Sequence, residues 1–165
     1  MTSDAPGQDK TFRITRALSS RDFSIGRSLI LEYAHHLEID LGFQDFASEL
    51  EHLAGRYGEP VGTLLIGWAD ARAVGCVALR RHRERTAEMK RLYVKRGYRA
   101  RGLARLPATE CIRSAKTLGY REIVLDTLSS MDAARHLYES LGFRTIRPYY
   151  ENPVDGARHL GLRIA

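Results

Sequence analysis

Five cations crowd two glycines in LYVKRGYRARGLARLPATECI, the stretch from Leu92 to Ile112: Lys95, Arg96, Arg99, Arg101 and Arg105 surround Gly97 and Gly102. A short β-like run, Leu92-Tyr93-Val94, precedes them, and an amphipathic helix follows. Backbone N–H groups at a helix N-terminus, with the helix dipole behind them, favour an anion. Glycines let the backbone turn and approach a ligand closely. Arginines add charge-assisted bonds to phosphate oxygens. Pro107 suits the first turn of such a helix, where its missing N–H had no intrahelical partner. The pattern points to a seat for a phosphate-bearing ligand. It is not a Walker A loop: Gly97-x4-Gly102 has the glycine spacing, but Leu103-Ala104 stand where Lys and Ser/Thr belong. A GxGxxG fingerprint is absent too.

The elements that must position this seat follow from periodicity. Thr11 to Ala17 alternates as a half-buried strand. Ser19 or Ser20 with Asp22 reads as a helix N-cap, and apolar residues at 25, 29, 30, 33, 34 and 37 keep helical spacing. A second helix is expected over Phe43 to Ala54, ended by Gly55. Val61 to Trp68, Ala73 to Arg80 and Thr86 to Val94 form an antiparallel meander. The second half alternates: helix Ala104 to Leu118, strand Glu122 to Leu125, helix Ser130 to Leu141, strand Phe143 to Arg147. Such alternation implies right-handed crossovers and a locally parallel sheet. Arg158 to Ile164 reads as a last strand. The expected fold is a mixed α/β domain over residues 11–165, preceded by a flexible tail at residues 1–10.

The 165 residues, 44% hydrophobic and 28% charged, suit one globular domain. The polar start MTSDAPGQDK lacks the pattern of a secretory signal, and no apolar run is long enough to span a bilayer. With only Cys76 and Cys111, and no CxxC, a reduced cytoplasmic protein is expected. The formal charge of +6 is unevenly spread. No Lys or Arg falls between Ser28 and Gly55, where six carboxylates lie, whereas Lys90 to Arg105 carries seven basic residues and no acid. The two blocks are either binding surfaces of opposite sign or ordinary solvated faces. His35-His36 lacks metal-site spacing, and without an HExxH or Cys/His cluster no metal is expected.

Arg99-x-x-Gly102-x-Ala104 resembles the [QR]-x-x-G-x-[GA] pyrophosphate turn of the GNAT superfamily of N-acetyltransferases. Ala134-x-x-x-Tyr138-x-x-x-Gly142-Phe143 resembles a second element of that family, and so does the order of elements from Thr11 to Ile164. The resemblance implies a GNAT-like fold, a central mixed twisted sheet flanked by helices, and transfer of an acetyl group from acetyl-CoA to an amine. It also implies direct transfer in a ternary complex. Backbone groups of Arg91 to Val94, notably Leu92, Tyr93 and Val94, would hold the pantetheine arm at a splayed strand edge. Arg99, Ala100, Arg101, Gly102, Leu103, Ala104 and Arg105 would hold the pyrophosphate. A backbone N–H near Val94 would polarise the thioester carbonyl.

By the same resemblance Tyr138 stands at the general-acid position, where a protonated phenol can donate to the leaving thiolate. Glu88 stands where several members carry a general base; its alternative is a structural ion pair with Lys90 or an arginine. One departure is Met131, where members often have an Asn that contacts CoA. The first two helices usually line the acceptor pocket, which here makes Tyr33, Asp40, Phe43 and Asp45 candidates for a cationic amine with an apolar body. Tyr149-Tyr150 either cover that pocket or pack a loop. The expected partners are acetyl-CoA and a primary amine, probed against two alternatives: a non-catalytic acyl-CoA-binding module, and an acetyltransferase of protein amines. Neither nucleic acid nor membrane is expected, since the basic loop has few base-stacking aromatics. A homodimer is compatible with the sequence.

Overall fold

The computed structural model describes residues 11–99, 102–129 and 131–165. The expected tail at residues 1–10 lies outside them. A seven-stranded sheet runs in the order β1-β2-β3-β4-β5-β7-β6. Its strands are β1 (Phe12–Arg16), β2 (Thr63–Ala69), β3 (Arg72–Arg83), β4 (Thr86–Val94), β5 (Glu122–Thr127), β6 (Arg144–Thr145) and β7 (Arg158–Arg163). The meander holds: β1 to β4 pair antiparallel in succession, turned between β2 and β3 by Asp70 at a φ of 53°. A crossover helix, α5 (Arg105–Thr117), then brings β5 parallel to β4. The second crossover passes through α6 (Asp132–Ser140) but does not land beside β5. β7 enters between β5 and β6, antiparallel to both.

Pleat alternation divides the core. Leu65, Val77, Leu79, Ala87 and Met89 face α5, packing on Cys111 and Ala115. Leu64, Ile66, Cys76 and Ala78 face α1 (Ser20–Leu37) and meet its Leu29 and Ile30. Ser19 caps α1 with a full capping box: its Oγ accepts from Asp22 N at 3.1 Å, and Asp22 Oδ2 accepts from Ser19 N at 3.1 Å. Both cysteines are free and buried. Among the described residues no helix is long and apolar enough to cross a membrane.

The helix expected over Phe43 to Ala54 is instead three pieces: a 3₁₀ turn (Gly42–Gln44), α2 (Phe46–Glu51) and α3 (Leu53–Tyr57). Asp45 at a φ of 56° separates the first two, a conformation Asp tolerates. His52 breaks α2 from α3 with a φ of −125°. Gly55 does not stop the chain, because Tyr57 must reach the core, where it is fully buried. The strand expected at Phe143 to Arg147 shrinks to two residues. The start of the last helix at Ser130 lies outside the described residues.

Candidate active site

β4 and β5 pair only at Thr86–Glu88 against Glu122–Val124. Beyond Glu88 the strands part. A cavity of about 840 Å³ opens in the gap, walled by Met89 to Val94 on one side and Asp126, Thr127 and Leu128 on the other. The local cause is a bulge in β4. Cys76 and Ala78 of β3 face Tyr93 and Lys90, so one extra residue is fitted opposite β3 there. Arg91 takes up that residue with a φ of 60°. Its guanidinium is held by Glu49 of α2 in a bidentate pair, Nε to Oε2 and Nη2 to Oε1, both at 2.9 Å. Both side chains are buried, Arg91 at 4% exposure and Glu49 at 1%. Phe46 lies under the guanidinium, 5.3 Å from its centroid. The Arg91 carbonyl accepts from Cys76 Sγ at 3.3 Å, so the bulge is fastened at both backbone and side chain.

At the far end of β4 the basic loop begins with a short helix, α4 (Arg96–Arg99). Arg99 turns back: its Nε donates to Val94 O at 2.6 Å and its guanidinium lies 5.5 Å from the Tyr93 ring centre. Gly102 has a φ of 67°, and a Cβ there would meet nothing within 4 Å. The turn is thus left-handed and open toward the cavity. Ala104, the N-cap of α5, makes no side-chain cap; Arg105 N and Leu106 N instead donate to Gly102 O and Leu103 O at 3.3 Å, closing the turn on its own backbone. Arg105 reaches across to α6, its Nη1 donating to Ser140 Oγ at 2.8 Å.

The cavity gathers most of the residues singled out from sequence. Leu92, Tyr93, Val94, Arg99, Gly102, Ala104 and Arg105 line it. So do Tyr138, Tyr33 and Phe43. Leu103 does not, and Ala100 and Arg101 lie outside the described residues. The Tyr138 hydroxyl makes no hydrogen bond among the described residues. Its ring packs edge-on to Phe143 at 5.7 Å, and burial, followed by the nearby Tyr33, Cys111 and Asp126, raises its pKa well above the usual tyrosine value. Tyr33 is pushed up to about 12, again mainly by burial. Met131 sits on the cavity wall, its sulfur accepting from Thr127 Oγ1 at 3.8 Å.

Three of the expected site residues lie away from the cavity, and Glu88 takes the ion-pair alternative. Glu88 does not reach the cavity. Its carboxylate is closed off by Arg80 Nε at 2.8 Å and by the Tyr149 hydroxyl, which donates at 2.6 Å, with Lys90 Nζ at 3.9 Å. Burial alone would raise its pKa, but Lys90, Tyr149 and Arg80 together bring it below the usual value, the reverse of what a general base needs. Asp40 and Asp45 also point elsewhere. Asp40 Oδ1 accepts from Gly42 N at 2.8 Å, an Asx turn, and Asp45 pairs with Arg56 at 3.1 Å at 72% side-chain exposure. The family resemblance had put these carboxylates at the pocket, but a local turn and a surface arginine engage them instead.

Tyr150 does not line the cavity but supports its wall. The Tyr150 hydroxyl donates to Asp126 Oδ2 and accepts from Gln44 Nε2 at 3.0 Å. Gln44, Asp126, Lys90 and Asn152 all line the cavity and were not singled out from sequence. Lys90 had a legible signal, a cation alternating with Glu88 on a strand that is otherwise buried. Asp126, after the apolar Ile123-Val124-Leu125, had a weaker one. Among the described residues no group of three or more His, Cys, Asp or Glu could hold a metal ion.

Comparison with known proteins agrees with this geometry. The model of the acetyltransferase (GNAT) family matches residues 25–143. An uncharacterised N-acetyltransferase of Schizosaccharomyces pombe is 36% identical over 147 residues, covering 88% of this chain and 90% of that one. The N-acetylaspartate synthetase of Rattus norvegicus is 31% identical over 137 residues, covering 81% of this chain but 46% of its own length. In fold, the chain is similar to a Salmonella typhimurium protein solved with its cofactor acetyl-CoA. The TM-score is 0.65 at 18% identity, covering 92% of this chain and 93% of that one.

Proposed function

The chain belongs to the GNAT acetyltransferase family, and from that premise we propose that it moves an acetyl group from acetyl-CoA to the primary amine of a small molecule, directly, with both bound at once. The observation that carries this reading is the gap between β4 and β5. It is a single cavity that joins the glycine turn before α5, at Gly102, Ala104 and Arg105, to a buried tyrosine at its side. The residues present fit the group: Gly102 leaves open space on a left-handed turn, and arginines flank it.

Acetyl-CoA supplies the activated acyl group as a thioester. Backbone groups of Leu92, Tyr93 and Val94, freed from pairing with β5, would hold its pantetheine arm. The backbone of the turn from Arg99 to Arg105, Ala100 and Arg101 included, would hold its pyrophosphate. An N–H near Val94 would polarise the carbonyl. Tyr138 would hold a proton for the leaving sulfur, a role its raised pKa suits by keeping it protonated. Glu88 would position β4 and Tyr149 rather than take a proton. The similarity to an N-acetylaspartate synthetase supports a small acceptor bearing an amine.

Calorimetric titration of acetyl-CoA into the protein and into Gly102→Glu tests the reading. Micromolar binding lost in the variant, with CoA released when amines are added to wild type, is the expected result. Wild type that does not bind acetyl-CoA overturns it.

A further inference from the structure

The end of the cavity remote from the basic loop holds two groups of opposite charge, each with bonding capacity left over. Asp126 Oδ2 takes all the donors the protein supplies: the Tyr150 hydroxyl, Asn152 Nδ2 at 2.9 Å and Gln44 Nε2 at 3.4 Å. Its Oδ1 accepts nothing among the described residues. A carboxylate with one oxygen fully engaged is fixed in orientation, and its free oxygen offers itself to a ligand cation or amine N–H. Asn152 is itself anchored, its Oδ1 accepting from Val154 N at 2.9 Å.

Lys90 is the counterpart. Its side chain is 6% exposed, yet among the described residues its ammonium makes one hydrogen bond, to Gln44 Oε1 at 3.3 Å. Glu88 stands at 3.9 Å, an ion pair rather than a bond. A buried ammonium has three protons to satisfy, and leaving them unmet is costly. Gln44 joins the pair, its amide oxygen on Lys90 and its amide nitrogen on Tyr150 and Asp126. Burial lowers the Lys90 pKa while Glu88 and Asp126 raise it and Arg91 lowers it, and Asp126 is also felt at Tyr138. Both charged residues line the same cavity as Tyr138.

Resting on the acetyltransferase reading above, we infer that Asp126 and Lys90 form the acceptor subsite and that the acceptor is a small amino acid, its amine on Asp126 Oδ1 and its carboxylate on Lys90. Such a zwitterion meets both unmet capacities at once. A plain amine would leave Lys90 unsatisfied, and a dicationic polyamine would meet its charge.

The test is acetyl-CoA-dependent CoA release with the proteinogenic L-amino acids, each compared with the form in which every carboxylate is an amide. Wild type is expected to lose about tenfold or more in kcat/KM when the carboxylate is amidated, the size of one charged hydrogen bond. Lys90→Gln should raise the amino-acid KM by a similar factor and flatten that preference, with calorimetric acetyl-CoA affinity within a few-fold of wild type. Asp126→Asn should raise KM for both forms. Amides or simple amines used as well as amino acids by wild type would overturn the inference, with no variant required, while acetyl-CoA binding kept the acetyltransferase reading intact. Absence of acetyl-CoA binding would overturn the reading on which it rests.

Discussion

The Arg91–Glu49 pair gives the most demanding test of how the site is built. Removing Glu49 leaves a guanidinium at 4% exposure with no anion, in a bulge that holds it at a φ of 60°. Breaking one partner of such a buried pair costs about 3–5 kcal/mol. A domain of this size loses about 2–4 °C in Tm per kcal/mol, so Glu49→Gln should melt roughly 6–20 °C below wild type. Against a typical total of about 5–15 kcal/mol, the loss is a large share of the whole. Arg91→Met should cost a similar amount by orphaning the carboxylate. The discriminating variant is the double, Glu49→Leu with Arg91→Met, since two apolar side chains of similar volume need no desolvation of charge. Methionine bears the same backbone strain at Arg91 that arginine does, so the comparison isolates the pair. The double should be more stable than either single variant, measured by urea unfolding at constant m. Single variants within about 1 kcal/mol of wild type, or a double as damaged as the sum of both, would refute the reasoning.

Tyr138→Phe should lower kcat by about 10²-fold or more while acetyl-CoA affinity stays within a few-fold, as read from steady-state kinetics beside calorimetry. Gly102→Ala should weaken acetyl-CoA by little more than the roughly 1–2 kcal/mol of a left-handed alanine, since its Cβ has open space, whereas Gly102→Glu should abolish binding. For pH, the depressed Glu88 pKa contributes stability that is fully present above the ordinary value of 4.5 and is lost as pH falls through the lower folded value. Glu88→Gln should therefore be less stable than wild type at pH 7, and the gap should narrow below about pH 4, as followed by urea midpoints.

Strand periodicity and glycine placement were enough to place most of the sheet, the α1 cap and the loop that borders the cavity, because those features depend on local spacing. The acceptor end was not legible for the opposite reason. Its residues, Gln44, Lys90, Asp126 and Asn152, come from four distant segments, and only the fold brings them together. The acidic block misled because charge was counted without regard to facing. By spacing, Phe46, Glu49, Leu50, Leu53 and Tyr57 fall on one helical stripe, a signal at Glu49 that counting charge passed over. That spacing marks a buried ion pair more than a substrate contact. Asp40 and Asp45, in contrast, are consumed by an Asx turn and a surface arginine.

The placement of β7 has a bearing on biosynthesis. Chains emerge from the ribosome in sequence order, and domains fold as they are made. Here β7, Arg158–Arg163, follows every other described strand in the chain yet is an interior strand, flanked by β5 and β6. Until it emerges, β5 has no partner on one side and the two-residue β6 has none at all. Everything N-terminal to it, including both walls of the cavity, must wait with an open hydrogen-bonding edge, the kind of surface that recruits other chains. A chain held before Arg158 emerges would carry a nearly finished sheet whose β5 is left as an exposed, adhesive edge.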